Sequence, residues 1–290
     1  MKQLIAIVIL TVLWVGIAST ATSTSGPQPR FSGVQASPPP SEPASTETAP
    51  NMIFDEEFSG TKLNLSKWYR CYYYADEKQG CSFGPPLENE WYQTANVTVS
   101  GGYLQLTAKK QQVVPKYPYT SGVISTGGSP TKQPTFAFQY GYMEMRAKFP
   151  SGAGMWPAFW LIPADRSWPP EIDAMEWQGG TSKIDYATFH WTDSNGQHQS
   201  DGTAYDAGVD LSAGYHTYGL DWQANSITWY LDGKAIKTFT NAAVIPQKPM
   251  YIIVNLAVGG WISFPNKHTQ FPAVMSVDYV RVWNHKPGVE

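Results

Sequence analysis

The chain has 290 residues, enough for one large domain or two small ones at about 100 to 200 residues each. Only 15% of its residues are charged, against about 25% in an average protein, and 14% are aromatic, a composition that argues against disorder. The net charge of -3 and the pI near 6.0 argue against nucleic acid as a partner. A near-neutral, aromatic-rich chain instead favours neutral partners with stackable faces, such as sugars.

The first 21 residues have the pattern of an export signal. Lys2 precedes an apolar run over residues 4–18, and the small residues that follow predict cleavage near Ala21. The run is shorter than the roughly 20 residues that a membrane-spanning helix needs. We therefore expect removal of residues 1–21 and a secreted or periplasmic protein without a membrane anchor.

Residues 22–50 predict a flexible linker. They contain seven Pro and ten Ser or Thr, with three charged residues and one aromatic residue, so they cannot bury enough apolar surface to fold. The folded part is expected over residues 51–290, which is one domain by size.

Both cysteines lie in this domain. In an exported protein, the ten-residue separation of Cys71 and Cys81 suits a disulfide that closes a surface loop. Two free thiols or half of a metal site are the alternatives. No histidine stands near the two cysteines in the sequence, which disfavours zinc.

Period-two alternation dominates the domain and predicts β-strands. In residues 142–149 the charged side chains fall on one face and the apolar side chains on the other. Residues 227–236 have the pattern of a hairpin with a tight Asp-Gly turn. Residues 251–258 form a longer apolar run and residues 277–283 alternate again, as central strands do. The sequence therefore predicts an all-β, antiparallel two-sheet sandwich.

Residues 171–176 place three carboxylates within six residues of a chain that is otherwise poor in charge. On a regular strand Glu171 and Asp173 share a face, whereas Glu176 points the other way. One extra residue near Ala174 or Met175 would form a bulge and turn all three carboxylates to one side of the sheet. We therefore predict a β-bulge at this point.

Three neighbouring carboxylates repel one another, so they indicate chemistry or a bound cation. A retaining glycosidase needs an ionised nucleophile and a general acid of raised pKa, about 5 to 5.5 Å apart. A solvated acidic strand and a calcium site are the alternatives. Tryptophan suits sugar stacking but also fills protein cores, and four tryptophans stand close to the acids in the sequence: Trp156, Trp160, Trp168 and Trp177.

The acidic stretch, together with residues 154–160 before it, resembles glycoside hydrolase family 16, in the branch with the longer, bulged acidic motif that includes laminarinases. Nearly all of residues 53–285 take part in the resemblance. Five further segments look like family segments in family order: residues 140–144, 215–222, 227–233, 249–260 and 277–282.

The resemblance implies a β-jelly-roll with a concave cleft, which acts on β-linked polysaccharide by double displacement with retention. By position, Glu171 matches the nucleophile, Asp173 the assisting acid and Glu176 the general acid/base. No cofactor is expected for catalysis. The residues expected to contact substrate are Asn89, with its neighbour Glu90, and Trp91, Trp156, Trp160, His190 and Trp191.

Related folds often hold calcium on the convex face, and Glu57, Gly102 and Asp278 fall at similar places, so a structural calcium site is expected there. The expected substrate is β-1,3- or mixed β-1,3-1,4-glucan, cut inside the chain by a monomer. Agarose is the alternative substrate. A non-catalytic glycan-binding sandwich is the alternative class of function.

Overall fold

The structure is a computed structural model, and it describes residues 51–77, 81–86, 88–261 and 263–288. The predicted export signal and linker lie outside the described residues. Within the described residues the regular elements are β-strands and one 3-10 helix, Thr94–Asn96, which confirms the predicted all-β class. Among these same residues there is no helix of the length and apolarity needed to cross a membrane.

The first sheet is antiparallel and has eight strands. They are β1 (Met52–Glu56), β3 (Val97–Ser100), β4 (Tyr103–Ala108), β7 (Gly141–Lys148), β12 (His216–Trp222), β13 (Ile227–Leu231), β14 (Lys234–Phe239) and β16 (Ala273–Trp283). Their order is β14-β13-β12-β7-β16-β4-β3, and β1 pairs with β16. The predicted hairpin is β13 and β14, with Asp232 and Gly233 both at positive φ as a tight turn requires.

The second sheet has six antiparallel strands. They are β6 (Val123–Ser125), β8 (Met155–Pro163), β9 (Glu171–Trp177), β10 (Ile184–Thr192), β11 (His198–Asp206) and β15 (Met250–Val258). Their order is β11-β10-β9-β8-β15-β6. Two short parallel strands, β2 (Glu90–Tyr92) and β5 (Tyr119–Ser121), form a separate pair.

A large apolar core includes residues from both sheets, as the alternation predicts. On β7, Met143 and Met145 are buried in this core, whereas Glu144 and Arg146 are partly exposed. Strands β8 and β15 are buried along their whole length, because both of their faces are covered.

A second apolar cluster packs against the six-stranded sheet and is separate from the main core. It includes Ala158 and Trp160 of β8, which alternate with core residues of the same strand, and therefore lies on the opposite face. Cys71 and Cys81 form a disulfide, and both are buried in this cluster. The predicted pairing is present, but the bridge itself lies in the apolar interior rather than at the surface.

Candidate active site

A bulge in β9 sets the direction of the three predicted carboxylates. Opposite β8, Glu176 pairs with Ala158 and Asp173 pairs with Trp160, with Ala174 as the additional residue of β9 between them. The predicted bulge is therefore confirmed. Opposite β10, the same carboxylates face Tyr186, Thr188 and His190. All three thus point to the face away from the main core.

Indole N–H groups hold the two outer carboxylates. Trp168 Nε1 donates to Glu171 Oε2 at 2.8 Å, and Trp156 Nε1 donates to Glu176 Oε1 at 2.9 Å. Trp261 lies close enough to Glu176 to lower its pKa, and its ring packs edge-on against Tyr186, with 4.9 Å between the ring centroids. These indoles restrict the rotamers of both glutamates, so the carboxylates are oriented before any ligand binds.

Two histidines extend the site beside Asp173. His190 Nε2 lies 3.3 Å from Asp173 Oδ2 and 3.9 Å from Glu171 Oε1. His190 Nδ1 lies 3.0 Å from His198 Nε2 on β11, and the two imidazole rings stack. His198 in turn packs against Trp168, 5.1 Å between centroids. Nothing in the sequence around His198 indicates a functional role, apart from its position at the start of a strand.

Burial raises the pKa of all three carboxyl groups. The pKa of Glu171 is raised first by burial and then by Asp173, and that of Asp173 first by burial and then by Glu176. Burial also raises the pKa of Glu176, against the opposing effects of His190, Trp156 and Trp261. Asp173 is buried and both glutamates are partly buried, so the three carboxylates cannot all be ionised without mutual repulsion, and the site favours retaining a proton among them.

The main core also supports the bulge. Trp229 of β13 is fully buried, and its Nε1 donates to the backbone carbonyl of Asp173 at 2.7 Å. This bond joins the eight-stranded sheet to the bulged strand at the residue beside the additional Ala174. The hydrogen bond therefore helps to position the acidic strand from the core side. No sequence pattern predicts this hydrogen bond.

The family model described as "Glycosyl hydrolases family 16" matches residues 86–281. The chain belongs to glycosyl hydrolase family 16. Endo-1,3-1,4-beta-glycanase ExsH of Rhizobium meliloti is 35% identical over 81% of this chain and 52% of its own length. Glucan endo-1,3-beta-glucosidase A1 of Niallia circulans is 34% identical over 81% of this chain and 38% of its own. The chain thus spans about half, or less, of the length of these relatives.

Solved structures of the family share this fold. The laminarinase catalytic domain of Thermotoga maritima MSB8 superposes with a TM-score of 0.70 at 30% identity, covering 81% of this chain and 98% of that domain. The endo-beta-1,3-glucanase of Pyrococcus furiosus gives the same TM-score at 31% identity. The predicted family and the jelly-roll are therefore confirmed.

The residues on and near β2 and β8 that are predicted to contact substrate differ in solvent exposure. In this family 16 chain, Trp160 shares a face with Asp173, but it is buried and its Nε1 donates to Asn255 Oδ1 at 2.8 Å. The backbone N–H of Asn89 donates to the Val258 carbonyl at 2.8 Å. Trp91 is partly exposed and lies against Tyr117, 4.9 Å between centroids.

The structure gives no support to the predicted contact of Trp191 with substrate. Its ring stacks on Phe189, a residue of the main core, and packs against Phe239 of the other sheet. His190 faces the carboxylates, and adjacent residues of a strand point to opposite faces. Trp191 consequently faces the core, where it supports the sheet from the other side.

Another pair of buried carboxylates, Glu88 and Glu90, lies next to the second apolar cluster. Glu88 accepts hydrogen bonds from the hydroxyls of Tyr72 and Tyr92, at 2.9 and 3.2 Å, and Tyr92 also accepts one from Asn255. Glu90 accepts the backbone N–H of Val258. Burial raises the pKa of both glutamates, and Glu88 raises that of Glu90 further. No local sequence pattern distinguishes Glu88 from other glutamates.

The structure gives no support to the predicted calcium ligands. Glu57 accepts two hydrogen bonds from Arg281, and Asp278 pairs with Arg146. Gly102 lies in the turn between β3 and β4. Each carboxylate already has a guanidinium partner, which opposes the charge of a cation, and the calcium site stays a prediction.

Proposed function

We propose that this family 16 chain is a secreted, endo-acting, retaining β-glucanase that hydrolyses β-1,3- or mixed β-1,3-1,4-glucan. The observation that carries the proposal is the bulge at Ala174, which turns Glu171 and Glu176 to one face of one strand. A tryptophan N–H orients each carboxylate. Similarity to an endo-1,3-1,4-beta-glycanase and to a laminarinase catalytic domain supports β-glucan as the substrate class.

The proposed reaction has two displacements. Glu176 gives its proton to the glycosidic oxygen while Glu171 attacks the anomeric carbon, so the glycosidic bond breaks as a glycosyl ester forms. The ionised Glu176 then takes a proton from water, and the water oxygen displaces Glu171 from the sugar. The raised pKa of Glu176, caused mainly by burial, favours the protonated form that begins the cycle.

Asp173 and His190 keep the nucleophile ionised in this proposal. A charge on Asp173 raises the pKa of Glu171, whereas the positive form of His190 lowers it. The contact with Glu171 lowers the pKa of Asp173, but burial raises it by more, so we assign the shared proton to Asp173, which is only 3% exposed. The pair then carries one negative charge, on the atom that attacks the sugar.

Aromatic side chains beside the acids suit stacking on sugar rings. Trp261 is the most exposed of the tryptophans that contact the carboxylates, at 37% exposure, and Tyr186 packs against it. A row of such platforms along a concave sheet would bind several sugar units at once. Early products should therefore be oligosaccharides rather than glucose.

Export is part of the same proposal. The leader predicted over residues 1–21 would carry the chain to an oxidising compartment, and the disulfide between Cys71 and Cys81 suits that environment. Polymeric glucan is too large to enter a cell, which also fits an enzyme that acts outside.

A reducing-end assay on laminarin, lichenan, agarose and carrageenan tests the proposed activity. We expect new reducing ends to be released from laminarin, from lichenan or from both, and this release to be lost in Glu176→Gln. Release of reducing ends from agarose alone would instead indicate a galactan-degrading enzyme of the same family. Binding to laminarin without release, in a folded and intact preparation, would favour the glycan-binding alternative.

A further inference from the structure

We propose that Glu171, Asp173 and His190 form a binding site for one divalent transition-metal ion of the zinc class, and that this ion blocks the site reversibly. The binding itself does not depend on the proposed function. Only the block of hydrolysis rests on it, because the ion would take the oxygen that attacks the sugar.

The spacing of the three ligand atoms fits such an ion. Glu171, Asp173 and His190 each offer one atom, and the three atoms lie within 4.8 Å of one another. His190 Nε2 is 3.3 Å from Asp173 Oδ2 and 3.9 Å from Glu171 Oε1. Tetrahedral zinc with bonds of about 2.0 to 2.2 Å separates its ligand atoms by roughly 3.3 to 3.6 Å. The two separations from His190 lie near this range, whereas the two carboxylate oxygens, which lie within 4.8 Å of each other, must approach by up to about 1.5 Å through side-chain rotation.

Asp173 supplies an independent observation. Its Oδ2 atom is buried and makes no hydrogen bond of acceptable geometry within the described part of the chain, and its side chain is 4% exposed. A buried carboxylate oxygen without a donor is costly. A cation between Oδ2 and His190 Nε2 would satisfy that oxygen and reduce the repulsion among the acids.

His198 prepares His190 as a ligand. When His190 Nδ1 carries the hydrogen and donates it to His198 Nε2, 3.0 Å away, the lone pair of His190 Nε2 faces the two carboxylates. Histidines that bind metals almost always donate their other N–H in this way. The tilted packing of His198 against Trp168 holds this support in place.

The donor set selects the class of metal. Two carboxylate oxygens and one imidazole nitrogen suit zinc or copper, whereas calcium requires six to eight oxygens. The side chains of His190 and Glu171 are 15% and 17% exposed, so an ion can reach them from solvent. Trp168 holds Glu171 Oε2, which leaves Oε1 to the ion. Because Trp168 occupies Oε2, we also assign Oε1 as the oxygen that attacks the sugar in the proposed mechanism.

Calorimetric titration of ZnCl2 into tag-free, chelator-treated protein tests the site. We expect one Zn²⁺ per chain, with affinity reduced at least tenfold in His190→Gln and in Asp173→Asn, and about 10- to 100-fold in His198→Gln. His268→Gln, which removes an exposed histidine far along the sequence, should bind as the wild type does. Any binding of calcium should be unchanged in His190→Gln and Asp173→Asn, because this ligand set does not suit calcium.

Inhibition and spectroscopy complete the test. Zn²⁺ should inhibit hydrolysis of the preferred glucan, and EDTA should restore it. Co²⁺ in the wild-type protein should show the visible bands of tetrahedral coordination, a readout that holds even if a variant does not fold. Absence of stoichiometric binding, or wild-type affinity in both His190→Gln and Asp173→Asn, would overturn the inference. A chain that binds Zn²⁺ but hydrolyses no glucan would overturn the proposed function alone.

Discussion

Glu171 and Glu176 carry out different steps in the proposed reaction, and this predicts different kinetic behaviour for their variants. In Glu176→Gln we expect kcat on laminarin to fall about 10²- to 10⁴-fold, because the proton donor is gone. On an aryl β-glucoside whose leaving group is an acidic phenol, this variant should still release an initial burst of phenol, since that leaving group needs no proton. Glu171→Gln should lose the burst as well, because no ester can form.

Glu57→Gln is the matched control for these variants. It removes a carboxylate that pairs with Arg281 on the other sheet, so its rates should equal those of the wild type. Stopped-flow measurement of phenol release compares the three variants. A burst that disappears equally in both site variants would contradict the division of roles.

Trp156 lowers the pKa of Glu176 by donating to its ionised form, and this predicts a shift in the pH profile. In Trp156→Phe the donor is lost, so the pKa of Glu176 should rise further. Activity requires the protonated acid, and the basic limb of kcat/KM should therefore move to higher pH. A limb that moves to lower pH, in pH profiles measured on one glucan, would show that another group controls it.

At the residue level, the shared face of the three acids could be predicted from the sequence, whereas the positions of some of their neighbours could not. The alternation of side chains between the two faces of a strand was enough to infer that the carboxylates need a bulge to share a face. The same alternation excludes Trp191 from the site once His190 is placed there. His198 could not be predicted, because its contact with His190 depends on the pairing of β10 with β11.

At the scale of elements, the bond from Trp229 to the Asp173 carbonyl predicts a coupling between the two sheets. Trp229→Phe leaves a buried carbonyl without its donor, which should lower the free energy of unfolding by about 1 to 3 kcal/mol. It should also lower kcat more than it changes KM, because the bulge loses its support. Chemical denaturation and steady-state kinetics measure the two effects.

Trp222→Phe is the control for this coupling. Trp222 is equally buried in the core, but its Nε1 has no hydrogen-bond partner within the described residues. The substitution therefore removes ring volume and no hydrogen bond. Equal losses of kcat in Trp222→Phe and Trp229→Phe would attribute the effect to packing alone.

The strands themselves were largely predictable, whereas the links between them were not. Alternation indicated β7 and β16, and the Asp-Gly pair indicated the hairpin, because these are local patterns. The bond from Trp229 and the chain from Glu88 through Tyr92 to Asn255 join residues far apart in sequence. Such contacts follow from topology, and no local pattern indicates them.

For the whole molecule, Asp185 predicts how stability depends on pH. Both of its carboxylate oxygens are buried without a partner in the described chain, and burial raises its pKa well above the ordinary value. The folded state therefore holds a proton that the unfolded state releases. Between the unfolded pKa, about 3.9, and the raised folded pKa, stability should fall with rising pH by about 1.4 kcal/mol per pH unit.

Asp185→Asn should remove this contribution, so its free energy of unfolding should fall less steeply with pH than that of the wild type. Asp206→Asn changes an exposed carboxylate one strand away and should follow the wild-type curve. Denaturant melts at several pH values compare the slopes. Parallel curves for the wild type and Asp185→Asn would contradict the assignment of a buried, protonated Asp185.

The pairing of Glu171 and Glu176 as nucleophile and acid is tested most directly by the anomer that hydrolysis releases first. Both glutamates stand on one bulged strand, and Glu176 is close enough to raise the pKa of Glu171. Such a pair suits a short, retaining separation rather than one that admits water between the groups. Proton NMR during the first minutes of glucan hydrolysis should show β-anomeric oligosaccharides before mutarotation. First-formed α-anomer would contradict the two-carboxylate retaining mechanism.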